Sequence, residues 1–339
     1  MLPYEIVRAA IYHRGPPRLP VRFACFGCDD TAGIPMKPSA SFEPVVEGED
    51  EWGCVWIKTE MENMGQVKGH PLKSIEDLSQ CKHPDYDDHS RYADVPAALE
   101  TFQREGKYVT AGIFMVLFER MHSLYGFENV LCDLVLNRRA MDKLADHVLE
   151  VQLQFVENVR ERFGNAVHGF TMTDDWGTQQ AAFISCDLWM DFFYPRYRRL
   201  FDAMHAAGYD VWVHSCGKIN EIVKGLILAG VNVVNLQQPR ALGIREMGDR
   251  YRGRITFESL ADIQRTLPTD DPSRVDADAE DLMRYWASPA GGFVFSDYGD
   301  SKAIGVNDPQ IKLYMYEKFS AMSEKLYGNP LPEPEILDE

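Results

Sequence analysis

From residue 107 onward the chain alternates short apolar, β-branched runs with amphipathic stretches of ten or more residues, and no other feature restricts the fold as strongly. Lys107 to Ile113 (KYVTAGI) and Val167 to Thr173 (VHGFTMT) read as buried strands. So do the run from Val211 to Val213, Val231 to Leu236, Arg254 to Glu258, and Phe293 to Ser296 after Gly291-Gly292. Helical spacing is expected from Phe114 to Tyr125, Arg139 to Arg162, Leu188 to Ala207 with Ser185 as its cap, Ile219 to Leu228, and Val275 to Trp286. Upstream, a helix over residues 4 to 13 stops at Gly15-Pro16-Pro17, and a first strand runs from Leu19 to Phe23. A long Gly- and Pro-bearing loop then begins at Cys25. Strand, polar loop, helix and next strand imply parallel strands joined by right-handed crossovers.

An α/β barrel of the (β/α)8 TIM type takes about 250 residues as one unit, so 339 residues accommodate a single barrel domain with additions. An open dinucleotide-binding sheet fits less well, because no GxGxxG follows the first strand. Residues 38 to 93 carry no strong period and read as an insertion or lid. Within it, Glu51 to Glu60 (EWGCVWIKTE) has the aromatic and β-branched content of a hairpin arm over one barrel face.

Fifty-two acidic against 35 basic residues give a formal net charge of −17, which repels nucleic acid and anionic membrane surfaces. No apolar run approaches the length of a bilayer crossing, and the N-terminus lacks a secretory pattern, so a cytoplasmic enzyme is expected. Seven scattered cysteines are too sparse for a disulfide scaffold and are expected as reduced thiols.

In a parallel barrel the C-terminal strand ends share one face, and chemistry gathers there. The residues at these ends are Cys25 and Cys28, Asp174 and Asp175, His214 and Cys216, Gln237 and Gln238, Glu258, and Asp297 and Asp300. His214 and Cys216 stand two apart on an extended segment, so they share a face and suit a zinc half-site; a buried cysteine beside a hydrogen-bonded histidine is the plainer alternative. Successive strand residues point opposite ways, so only one of Asp174 and Asp175 is expected in the pocket, with helix capping as the alternative role. Cys25-x2-Cys28 has metal or redox spacing but no second such pair, and structural packing explains it as well.

The chain resembles the uroporphyrinogen decarboxylase superfamily, whose barrels include cobamide-dependent methyltransferases. The resemblance rests on Arg18-Leu19-Pro20-Val21, Glu51-Trp52-Gly53, Asp174-Asp175-Trp176-Gly177-Thr178-Gln179 and Ile184-Ser185. Pro195, His205-Ala206-Ala207-Gly208, His214-Ser215-Cys216-Gly217 and Gly291-Gly292-Phe293 extend it. Porphyrinogen decarboxylases carry arginines in the loop after strand one to hold substrate carboxylates, and Phe23 to Lys37 contains none. The methyltransferase branch holds zinc with His-x-Cys and a later cysteine, and no cysteine follows Cys216.

The resemblance therefore implies a methyltransferase that moves a methyl group between a small methylated substrate, such as a methyl ether, and the cobalt of a corrinoid on a partner protein. His214 and Cys216 would hold zinc, with Glu258 as third ligand and Asp297, Asp300, Cys25 and Cys28 as alternatives. Asp175 and His214 are the expected catalytic pair, and Met115, Trp176, Tyr298 and Gln237 the expected substrate contacts. Two other readings stay open: a metal-free decarboxylase or lyase on a small acid, and a non-catalytic barrel that binds a corrinoid or tetrapyrrole.

Overall fold

The computed structural model describes residues 1–58 and 65–335 and contains ten strands. They are β1 (Val21–Arg22), β2 (Thr31–Gly33), β3 (Val55–Ile57), β4 (Gln66–Gly69), β5 (Tyr108–Ile113), β6 (Gly169–Thr173), β7 (Asp210–His214), β8 (Val233–Asn235), β9 (Thr256–Ser259) and β10 (Phe293–Ser296). Eight form one parallel sheet in the order β1-β10-β9-β8-β7-β6-β5-β2, the (β/α)8 barrel expected from the alternation. The strand absent from the sequence reading is β2. It has three residues inside the Gly- and Pro-bearing loop, of which only Thr31 is buried, so it shows no apolar run.

One aspartate closes the barrel between its end strands. Asp30 donates its backbone N–H to the Val21 carbonyl at 2.8 Å, and its side chain accepts the Val21 N–H at 2.8 Å. Arg18 forks the same carboxylate at 2.6 and 2.7 Å, so this buried acid is both paired and hydrogen-bonded.

The expected helix at Phe114 begins only at Phe118 and runs to Tyr125. Met115, at φ +59°, instead makes a tight turn in which its N–H donates to the Thr173 hydroxyl. The expected helix from Leu188 to Ala207 is two, Cys186–Phe192 and Tyr194–Ala206, because Pro195 lacks the N–H that a continuous helix requires. Ser185 caps the first of them, accepting from the Leu188 N–H at 3.2 Å.

In the 38 to 93 segment β3 and β4 pair antiparallel, as a hairpin arm requires; the end of the expected arm, residues 59 and 60, lies outside the described residues. Trp56 packs against Phe114 at the end of β5, with ring centroids 5.9 Å apart. Trp52, Cys54, Leu72, Ile75 and Tyr86 join the same apolar core as the barrel strands. Among the described residues no helix is long and apolar enough to cross a membrane.

Candidate active site

Register sets the site. Thr173, His214, Asn235 and Glu258 align across β6, β7, β8 and β9, and aligned residues of parallel strands face the same side. Here that side is a cavity of about 1230 Å³ at the C-terminal mouth, which all four residues line. His214 hydrogen-bonds Asn235 Oδ1 through Nδ1 at 2.6 Å. Since Asn Oδ1 accepts, Nδ1 carries the proton and Nε2 presents its lone pair to the cavity. Cys216 Sγ lies 3.3 Å from Nε2, and Asp175 Oδ1 lies 3.5 Å from it. The Cys216 N–H donates to that same Asp175 oxygen at 2.7 Å, tying the ends of β6 and β7 together. The ligand atoms of Asp175, His214 and Cys216 all lie within 4.8 Å of one another, the one such trio among the described residues. Burial, then the Asp175 charge, pushes the Cys216 thiol up, so without a metal it keeps its proton.

Asp174 and Asp175 divide as strand alternation requires. Asp174 is fully buried and accepts from the Phe118 N–H at 2.9 Å, the Glu119 N–H at 2.7 Å and the Tyr197 hydroxyl. It anchors the first turn of the helix Phe118–Tyr125, where free N–H groups and the helix dipole favour a carboxylate. Asp175 faces the cavity with 37% of its side chain exposed. Beside it Glu119, at the start of that helix, also lines the cavity, and its buried Oε2 has no hydrogen-bond partner. Burial, then the charges of Asp175 and Asp174, pushes the Glu119 carboxyl up to about 9, so it is protonated at neutral pH.

The third-ligand expectation requires correction. Glu258 lines the cavity but accepts two bonds from Arg22 Nη1, at 2.9 and 3.0 Å, and the residue placed against His214 and Cys216 is Asp175. Asp297 is bound to Lys312 Nζ at 2.7 Å, and its carboxylate takes the Cys25 thiol as a hydrogen-bond partner. Cys28 turns away, donating to the carbonyls of Phe26 and Glu333. Asp300 accepts from the N–H groups of Lys302 and Ala303, which turns its own loop.

Among the expected substrate contacts, Met115, Tyr298 and Gln237 line the cavity. Trp176 does not. It is fully buried, stacked on Phe118 at 4.3 Å, with Nε1 donating to the Tyr197 hydroxyl, because like Asp174 it alternates away from the cavity toward the helix layer. Asn235 and Glu119 were not legible as site residues. Asn235 sits at the last position of its strand, level with His214, a placement that exact strand ends would have shown. Glu119 lies in a helix, outside any strand-end rule.

Comparison with known proteins bears on this barrel and its mouth. A methyltransferase from Methanosarcina mazei superposes with a TM-score of 0.63 at 12% identity, covering 94% of this chain and 99% of its own. A D-psicose 3-epimerase solved in the presence of D-fructose gives 0.40 at 11% identity, over 70% of this chain and 84% of its own. A 3-keto-D-glucoside 4-epimerase from E. coli gives 0.38 at 13%, over 66% and 84%. No curated protein sequence matches the chain. The model of the uroporphyrinogen decarboxylase family matches residues 55–294, more than half of the sequence, from β3 through the His214 strand into β10. With β5 to β9, the start of β10 and most of the residues lining the mouth inside that match, this chain belongs to the uroporphyrinogen decarboxylase family.

Proposed function

We propose that the protein is a methyltransferase that moves a methyl group between a small methylated substrate and the cobalt of a corrinoid carried by a partner protein. The observation that carries this reading is the Asp175, His214 and Cys216 trio at the open mouth of a uroporphyrinogen decarboxylase family barrel. The fold shared with the Methanosarcina mazei methyltransferase agrees with it.

The trio suits zinc. Nitrogen, sulfur and oxygen ligands at ordinary zinc distances lie about 3.6 Å (N to S) and about 3.3 Å (N to O) apart in a tetrahedron. The separations from His214 Nε2 are 3.3 Å to sulfur and 3.5 Å to oxygen. Zinc at these residues supplies a Lewis acid for the heteroatom that bears the methyl group. Asn235 keeps the His214 lone pair aimed at the trio, and Asp175 holds the Cys216 backbone in place. In the demethylating direction the departing oxygen needs a proton, and Glu119, which lines the same cavity with an unpartnered Oε2, is placed to supply it.

Charge argues against a polyanionic tetrapyrrole substrate. Asp29, Glu119, Asp175, Glu258 and Asp297 line the cavity, with Arg22 the one arginine or lysine among the described lining residues. To test the reading, reduced cobalamin is incubated with protein and methyl ethers while the cobalt absorption is followed. Methyl-cobalt is expected from at least one donor. The proposal fails if none reacts and methylcobalamin is equally inert toward thiol and folate acceptors.

A further inference from the structure

Arg22 ends β1 and is the one arginine or lysine among the described residues lining this acidic cavity. Both of its hydrogen bonds to Glu258 leave from Nη1, and Glu258 is only 2% exposed. Its guanidinium also lies over the Trp212 ring, 5.6 Å from the centroid, which fixes its plane. Among the described residues Nε and Nη2 have no hydrogen-bond partner. The Arg22 side chain is 30% exposed, and that surface lines the cavity. Nε and Nη2 carry three of the five N–H donors of a guanidinium, and these are open to a ligand.

The charge of Arg22, by contrast, is already matched. Burial opposes the guanidinium charge, and the Glu258 and Asp29 carboxylates outweigh that opposition. Asp297, the next acid along this wall, is neutralised by Lys312 from behind. A carboxylate arriving at Arg22 would be a third anion around one cation. A neutral oxygen would take the free N–H groups without that repulsion. Glu258 also stands level with His214, two strands away at about 4.8 Å per strand, so both ends of one small ring-bearing molecule can be held.

We propose that Arg22 is the specificity-determining anchor for a neutral oxygen of the substrate, a hydroxyl, ether or carbonyl group, and that the Arg22 and Glu258 pair discriminates against carboxylates of the same shape. This rests on reading the cavity as the seat of methyl transfer and names the class of substrate it takes: neutral, oxygen-bearing methyl donors.

The test uses benzamide and benzoate, near-isosteric and without a transferable methyl group, with affinities for the full chain measured calorimetrically at pH 7. Benzamide is expected to bind about tenfold tighter than benzoate, the scale of a single charge-assisted hydrogen bond. Glu258→Gln should improve benzoate binding about tenfold and close the gap, and Asp29→Asn should move it the same way if Glu258→Gln does not fold. The double variant Arg22→Met with Glu258→Leu, which removes the pair as a unit, should lose the benzamide preference. Equal or tighter benzoate binding by the wild-type chain overturns the proposal, as does absent benzamide binding or a preference untouched by these variants. Because nothing is turned over, a negative cobalt assay with the preference intact overturns methyl transfer and leaves the anchor standing.

Discussion

The two sides of the barrel mouth present the same pair of side chains, a thiol beside an aspartate, in opposite electrostatic settings. At β1 and β10, Cys25 meets Asp297, and the nearly sealed Lys312 reaches both carboxylate oxygens at 2.7 and 2.9 Å and the Tyr298 carbonyl as well. At β6 and β7, Cys216 meets Asp175, with His214 at 3.5 Å and no lysine or arginine paired with that aspartate among the described residues. A carboxylate that already has a buried lysine has little to gain from a metal. One facing an imidazole and a thiol does, and there a dication would replace the missing charge. The difference shows why, among the described residues, only the Asp175, His214 and Cys216 corner of this mouth is arranged for the proposed zinc.

The comparison can be broken most directly through zinc itself. Cys216→Ser should lower bound zinc from about one per chain to near none by elemental analysis, since three protein ligands are the usual minimum. Cys25→Ser should leave it unchanged; equal losses from both would mean that the two corners are not distinct. Next in size is Lys312→Met, which leaves Asp297 buried without its cation and should destabilise the fold by about 3–5 kcal/mol in urea unfolding. In the metal-free protein Asp175→Asn strands no cation and should cost far less, and comparable losses would undo the contrast.

A third test concerns pH. In the metal-free protein Glu119 binds its proton more tightly folded than unfolded, with the folded value about 9. Its contribution is therefore fully present below the unfolded carboxyl range and is lost as pH rises toward 9, with a slope of at most about 1.4 kcal/mol per pH unit. Glu119→Gln should flatten that decline between pH 5 and about 9. An unaltered slope would mean that Glu119 does not hold the proton.

Much of the barrel was legible because its strands are apolar runs of regular spacing. β5, β6, β7 and β10 fall where the patterns place them, and Ser185 caps the helix it precedes. β2 was hidden because three residues in a glycine-rich loop bury too little to show a period. The helix break at Phe193 could have been read from Pro195, but the apolar spacing continues across it.

At the site, the convergence of His214 and Cys216 and the division between Asp174 and Asp175 follow from two-residue alternation alone, a property of any extended backbone. Alternation also condemns Trp176, which shares the face of Asp174, although its aromatic character made it an attractive pocket wall. The sequence thus determined which end of the barrel carries the chemistry and which side chains of one strand point together. Only the tertiary structure decided how each carboxylate is employed: Glu258 by Arg22 from the first strand, Asp297 by Lys312 from the last helix, and Asp175 by Cys216 across two strands. The partners of a carboxylate are chosen by distance in space, and these lie 236, 15 and 41 residues away along the chain, beyond the reach of any local pattern.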